Sequence, residues 1–265
     1  MTDLWRLILD PPCGGALNMA ADSLLLKQAE NGAPPALRLY GWSRPCVSIG
    51  YAQDIGDVDI ENAGAVGADI VRRPTGGRAV LHHDELTYAV AIPSSSTLFG
   101  PLGDVYELAA RAIRLAIESF GISVDSPAHH SAPGRNPCCF ASRTRSEISV
   151  NGRKVVGSAQ RRVKNAALQH GSIILSMDVT AYLSCLSWKN DAAKMKTAAG
   201  IGGLNDGREI SIASDELAGE VVRAFEKLHR ISFDKRPFSP QELSEIELSG
   251  EAFAAPDGVT GARSL

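Results

Sequence analysis

The sequence predicts an α+β protein, a single large domain with mixed or antiparallel sheets flanked by helices. Strand-like runs follow one another directly in some places and alternate with helical runs in others, which a regularly alternating parallel sheet would not do. The 265 residues suffice for one large or two modest domains of about 150 residues each, and no repeat or low-complexity tract divides them. Hydrophobic residues make up 44% and charged residues 22%, enough apolar material for a sizeable core. A body over residues 1–250 is expected, with a polar C-terminal tail over 251–265 that frays after Ala254.

Trp5–Leu9 alternates loosely and reads as a first strand. Leu17–Glu30 places apolar residues at helical spacing, and Asn31-Gly32 stops it. Ala36–Tyr40 and Cys46–Gly50 are strands around a Trp42–Pro45 turn. A short helix over Val58–Ala68 precedes the strand Asp69–Val71, and strands follow at Ala79–Leu81 and Leu86–Ile92. Leu102–Phe120 is the strongest helix, with one apolar face running from Val105 to Phe120 and Gly121 ending it. A polar loop over Asp125–Pro137 leads to a hairpin, Ile148–Val150 and Lys154–Val156, because Asn151-Gly152 favours the positive φ angles of a tight turn. Leu168–Leu175 is a further strand. Helices are expected at about 179–186, 215–229 and 239–247, with a glycine-rich loop at Gly200–Gly203.

Charge and cysteine usage narrow the function. Lys+Arg 27 against Asp+Glu 30 gives a net charge of −3, a sign unsuited to gripping nucleic acid backbones, though a local basic patch stays open. No apolar run approaches the ~18 residues of a membrane span, and Met1–Asp10 lacks the apolar core and cleavage site of a secretory signal. Cys13, Cys46, Cys138, Cys139 and Cys185 are odd in number and irregularly spaced, which argues for a reduced cytoplasmic protein rather than a disulfide framework.

Five places could carry chemistry. In Arg72-Arg73-Pro74-Thr75-Gly76-Gly77-Arg78 the glycines allow close approach to a ligand while guanidiniums attract negative charge; a plain turn with surface arginines is the alternative. His129-His130 and Cys138-Cys139 are adjacent pairs whose members point apart on an extended chain, so no metal site is expected. Either cysteine could be reactive or simply buried. Lys154 is a strand-edge charge or a pocket ammonium able to depress a thiol pKa. His82 and His83 beside Asp84-Glu85 suit acid–base work or a cap. Gly171 after His170 marks a pocket wall or a β-bulge.

Four ordered segments carry a family resemblance: Asn18-Met19-Ala20-x-Asp22, Arg72–His82, Gly152–Gln160 and Leu168–Ser172. Leu37-Arg38-x-Tyr40-x-Trp42 and Ser48-x-Gly50 support them. From about Trp5 to about Leu175 the chain resembles the lipoate–protein ligase/octanoyltransferase family, whose catalytic domain is related to biotin protein ligase and to class II synthetases. It looks most like the cysteine-dependent octanoyltransferases. The glycine motif Gly76-Gly77-Arg78 is followed by Glu85-Leu86-Thr87-Tyr88, where the ligases carry a third glycine and a His-Asp-x-x-Asn ending, and Cys139-Phe140 precedes the lysine motif.

The resemblance implies transfer of an octanoyl group from acyl carrier protein to a lysine of a lipoyl-domain protein, such as glycine cleavage H protein, as a step in lipoate biosynthesis. Cys139 would carry the acyl group as a thioester, and Lys154 would lower its pKa; Cys138 would be structural. Arg72, Thr75, Gly76, Gly77, Arg78 and His82 would bind substrate on one side. Gly157, Ser158, Ala159, His170 and Gly171 would do so on the other. No cofactor is implied beyond the octanoyl-phosphopantetheine of the donor, and neither nucleic acid nor membrane is an implied partner. Arg143-Thr-Arg145-Ser-Glu147 is more basic than the family pattern and could form a rim facing acidic carrier or lipoyl domains. The alternatives are an ATP-dependent lipoate–protein ligase, an octanoyl amidotransferase between lipoyl-domain proteins, and a non-catalytic binder of acylated carrier proteins or of lipoyl domains.

Overall fold

The computed structural model describes residues 3–126, 137–139 and 147–254. His129, His130, Phe140, Arg143, Arg145 and the tail from residue 255 lie outside the described residues. The strands are β1 (Asp3–Leu9), β2 (Ala36–Tyr40), β3 (Cys46–Ile49), β4 (Asp69–Arg72), β5 (Val80–His82), β6 (Glu85–Pro93), β7 (Ile148–Val150), β8 (Arg153–Arg162), β9 (Ala166–Ile174) and β10 (Ile231–Lys235). The helices are α1 (Gly15–Glu30), α2 (Ile60–Ala65), α3 (Leu102–Glu118), α4 (Val179–Ser184), α5 (Asp191–Ala199), α6 (Ser214–His229) and α7 (Pro240–Gly250).

Seven strands form one mixed sheet in the order β10-β1-β2-β6-β9-β8-β7, and β4-β3-β5 form a second. β1 pairs in parallel with β10 and β2, whereas β2–β6, β6–β9, β9–β8 and β8–β7 are antiparallel. The period-2 alternation divides the large sheet's side chains between two cores. Trp5 and Leu7 of β1, with Leu86, Tyr88, Val90 and Ile92 of β6, pack against the apolar faces of α3 and α6. Ile8, Ala36, Ala89, Ala91 and Leu168 face α1 and α7 on the other side. A third cluster joins the small sheet to Tyr182, Leu183 and Ile201.

The hairpin at Asn151-Gly152 forms as its sequence requires, with φ of 51° and 75°. Differences from expectation fall where local pattern is weak. β8 runs on to Arg162 although Gly157–Arg162 is small and polar, because full pairing with β9 outweighs its poor strand propensity. β10 and α5 carry little local signal: β10 shows only Ile231 and Phe233 in alternation, and α5 presents no clear apolar stripe. α2 spans Ile60–Ala65 rather than Val58–Ala68, started by the Asp59 side chain, which accepts from the Asn62 amide.

α7 is tied to β1 through charge. Ser239 and Glu242 form a capping box with Pro240 at the first turn, and the Arg6 guanidinium donates to both Glu242 oxygens at 2.6 and 3.0 Å. Burial alone would raise the Glu242 carboxyl, but Arg6 and the Ser239 amide hold it at about 2. Its stabilising contribution is therefore complete above the ordinary carboxylate value and lost as pH falls through that value toward 2. Glu242→Gln is expected to cost about 1 kcal/mol at neutral pH, because the pair is partly solvated, and to flatten the acid limb of stability below pH 4.5. Urea unfolding of both proteins over a pH series measures this; parallel acid limbs would contradict it.

Candidate active site

The pocket opens where the small sheet meets β6, β9 and β8 of the large one. Its lining includes Met19 of α1, Trp42, Ser48 of β3, Val80 and His82 of β5, Gly157–Ala159 of β8 and His170–Ser172 of β9, with Arg73 and Cys139 alongside. The surface it exposes is almost wholly carbon.

Two buried relays stand behind that surface. In the first, Glu85 Oε1 lies 2.8 Å from His82 Nδ1, and His82 Nε2 lies 2.7 Å from Ser48 Oγ. Burial would raise the Glu85 carboxyl, but His82, Thr87 and Ser172 together hold it below its ordinary value. An ionised carboxylate only accepts, so Nδ1 carries the proton and Nε2 accepts from the Ser48 hydroxyl. The Trp42 indole stacks on the His82 ring at 4.0 Å and 11°, and its Nε1 donates to Thr87 Oγ1 at 2.7 Å. Of the two neighbouring acids offered by the sequence, Glu85 is the partner of His82.

In the second relay, Asp22 Oδ2 lies 2.7 Å from His170 Nδ1, and His170 Nε2 lies 2.6 Å from Thr75 Oγ1. Tyr40 donates to Asp22 at 2.9 Å, and Arg38 donates to Asp22 and Asp10 at 2.9 and 2.6 Å. Burial pushes against the Asp22 charge, yet His170 and Arg38 hold its carboxyl below the usual range. The relay anchors Thr75, and with it the glycine loop, to α1 and β9.

The loop itself is built by close approach. A Cβ on Gly50 would sit 2.1 Å from the Gly77 carbonyl oxygen, and Gly77 has φ +95°. Both positions therefore exclude larger residues. Gly171 stays in unbroken register with Tyr88 and Ser158, and a Cβ there would meet the Gly157 oxygen at 2.5 Å. Close backbone approach, and not a bulge, accounts for that glycine.

Arg73, absent from the sequence-derived set, is the buried residue that closes the loop. Its Nη1 donates to Ser48 O and Oγ at 2.9 and 3.1 Å, Nη2 to Gly76 O and Arg78 O at 2.8 and 2.7 Å, and Nε to Gly76 O at 3.1 Å. Arg72 serves the adjacent turn instead, donating to the carbonyls of Gly50, Tyr51 and Gln53, and Arg78 lies 3.6 Å from Asp57 on the surface. Neither lines the pocket. The doublet Arg72-Arg73 carried the signal for this chemistry without saying which arginine turns inward.

Residues 137–139 are paired to the same loop. The Ala79 amide donates to Pro137 O, and the Cys139 amide donates to Ala79 O, each at 3.0 Å. Cys139 is half-buried at the pocket, while Cys138 is buried with its Sγ 3.1 Å from the Tyr182 hydroxyl. No disulfide links any of the five cysteines. Lys154 points inward and is fully buried. Its Nζ donates to the Cys139 carbonyl at 3.1 Å and forms an ion pair with Glu147. The Gly200–Gly203 loop covers it, with the Lys154 amide donating to Gly200 O at 2.8 Å. Among the described residues there is no cluster of His, Cys, Asp and Glu able to hold a metal ion, and no helix is long and apolar enough to cross a membrane.

A model of the lipoyl protein ligase A/B catalytic domain matches residues 15–226, well past the Leu175 limit drawn from motifs. The chain is 34% identical to octanoyltransferase LipM of Anoxybacillus flavithermus over 92% of this chain and 93% of that one. It is 35% identical to octanoyltransferase LipM of Carboxydothermus hydrogenoformans, over 93% of each. A solved lipoate-protein ligase A bound with ATP superposes with a TM-score of 0.77 at 22% identity, over 93% of this chain and 94% of that one. A bipartite lipoate protein ligase from Thermoplasma acidophilum gives 0.74 at 22% identity, over 93% and 91%. These solved structures share the fold.

Proposed function

Because the chain belongs to the lipoyl protein ligase A/B catalytic-domain family and, like the relatives it matches, is an octanoyltransferase acting in lipoate biosynthesis, we propose that it works through a thioester on Cys139. The donor is octanoyl-acyl carrier protein, and the acceptor is a lysine of a lipoyl-domain protein such as glycine cleavage H protein. The observation that supports this best is the half-buried Cys139 at the carbon-lined pocket, tied by its own amide to the glycine loop.

The Cys139 thiolate attacks the thioester carbonyl, the carbon–sulfur bond to phosphopantetheine breaks, and the departing thiolate takes up a proton. Exchanging one thioester for another is nearly neutral in free energy, so no nucleotide is required. The acceptor amine then attacks the acyl-enzyme, the carbon–sulfur bond to Cys139 breaks and returns the Cys139 thiolate, and the amide formed lies downhill. That amine must lose a proton, and the Glu85–His82 pair, reached through the Ser48 hydroxyl, is placed to take it. Lys154, bonded to the Cys139 carbonyl, holds the nucleophile in place and supplies the positive charge that favours its thiolate. Gly77 and the β8 segment Gly157–Ala159 flank the acyl carbonyl. Each methylene buried in the pocket contributes about 0.8 kcal/mol, which suits selection of a mid-length chain. Thiols without disulfides fit a reducing cytoplasm.

Intact-protein mass spectrometry after mixing the chain with octanoyl-acyl carrier protein, without ATP, tests the reading. The expected result is an octanoyl adduct on Cys139 that passes to a lipoyl-domain lysine. Acylation only with ATP would assign a ligase. Transfer only from an octanoylated lipoyl-domain protein would assign an amidotransferase.

A further inference from the structure

The pocket has an open end and a closed one. Gly76 and Gly77 are exposed, and Cys139 is half-buried beside them, its sulfur 3.9 Å from where a Gly77 side chain would begin. At the closed end Met19, Tyr40 and Trp42 are 2%, 2% and 8% exposed and belong to one core cluster. The space between, open mouth included, is about 350 Å³, at the small end for a ligand site. One side chain at the closed end therefore decides how much hydrocarbon enters.

Two of the three end walls are fixed. The Tyr40 hydroxyl donates to Asp22, and its ring lies 3.9 Å from the Arg38 guanidinium carbon. The Trp42 indole donates to Thr87 and stacks on His82. Met19 is built differently. Its neighbour Asn18 pins the backbone of α1, donating to Gly41 O at 3.1 Å and accepting from Arg38 at 2.8 Å. The Met19 side chain itself is an unbranched thioether with freely turning bonds, held by packing among the described residues.

We propose that Met19 is the specificity-determining residue that sets the length limit of the transferred acyl chain. The inference deepens the Cys139 thioester reading and rests on it. With the carbonyl on Cys139, the tail runs past the small residues Gly157 and Ala159 toward the closed end, where Met19 meets its last carbons. Each methylene that finds room there favours binding about fourfold, and one that does not must displace a packed side chain. Tyr40 and Trp42 cannot yield without losing their hydrogen bonds, so the limit falls on Met19.

The test follows Cys139 adduct formation by intact-protein mass spectrometry of the full chain, without ATP. Hexanoyl-, octanoyl-, decanoyl- and dodecanoyl-acyl carrier protein are offered one at a time to wild type, Met19→Ala, Met19→Phe and Met195→Ala. Met195, 72% exposed on α5, is the control. Met19→Ala lengthens the pocket, so the decanoyl-to-octanoyl rate ratio should rise about tenfold. Met19→Phe fills it, so the hexanoyl-to-octanoyl ratio should rise about tenfold. Met195→Ala should keep the wild-type ratios. A merely structural role for Met19 would slow every chain length alike, and that result, or an equal shift in Met195→Ala, would overturn the proposal. If Met19→Ala does not fold, a folded Met19→Phe with wild-type ratios would overturn it. Wild type that takes dodecanoyl as fast as octanoyl would do so without any variant. No adduct from any chain would instead sink the thioester reading, and this inference with it.

Discussion

Replacing Cys139 with serine is expected to lower kcat/KM for octanoyl transfer by about 10⁴-fold and to abolish the acyl adduct. A serine hydroxyl at this position keeps the size and the pairing of the backbone with Ala79, so the fold should survive. It does not ionise near neutral pH, however, so it is a far weaker nucleophile than a thiolate. Cys138→Ser supplies the contrast. That sulfur is buried against the Tyr182 hydroxyl, so the change should cost stability, about 1 kcal/mol, while transfer stays within severalfold of wild type. Steady-state transfer rates and thermal unfolding of the two variants check this. An active Cys139→Ser enzyme would remove the covalent step.

The largest expected stability effect lies at Arg38. Its guanidinium is fully buried, donates to Asp10, Asp22 and two atoms of Asn18, and stacks 3.9 Å from the centre of the Tyr40 ring. Arg38→Met keeps much of the volume but leaves the Asp22 carboxylate buried with one cation fewer. Breaking one side of such a pair costs about 3–5 kcal/mol, a large share of the ~5–15 kcal/mol that holds a domain together. Urea unfolding should show a large fall in the midpoint with an unchanged slope. A loss below about 1 kcal/mol would mean that Asp22 is satisfied by His170 and Tyr40 alone. Because Asp22 also orients His170 on Thr75, surviving Arg38→Met protein should also transfer more slowly.

Most of this architecture was readable in the sequence, for reasons that differ between elements. α3 and α6 place apolar residues on one helical face, and β6 alternates between two cores, so local periodicity and tertiary burial agree. β10 did not announce itself because an edge strand beside β1 needs little apolar material. The second half of β8 was hidden because its small and polar residues have low strand propensity and are held by pairing with β9. At the site, the motifs named Cys139, Lys154, His82 and the glycine loop, which the fold brings to one region. They did not show that Arg72 and Arg73 turn to opposite duties, that Glu85 and not Asp84 serves His82, or that Glu147 claims the Lys154 charge. These pairings depend on side-chain direction across strands far apart in sequence, which no local spacing records.

The two relays behind the pocket bear on how a wall that contains serines and histidines can still present a carbon surface. The Ser48 and Thr75 oxygens each face an imidazole nitrogen, and each imidazole is matched by an acid on its far side. With its hydrogen-bonding capacity spent on internal partners, the wall has little reason to retain solvent and is polar in formula yet oily in behaviour.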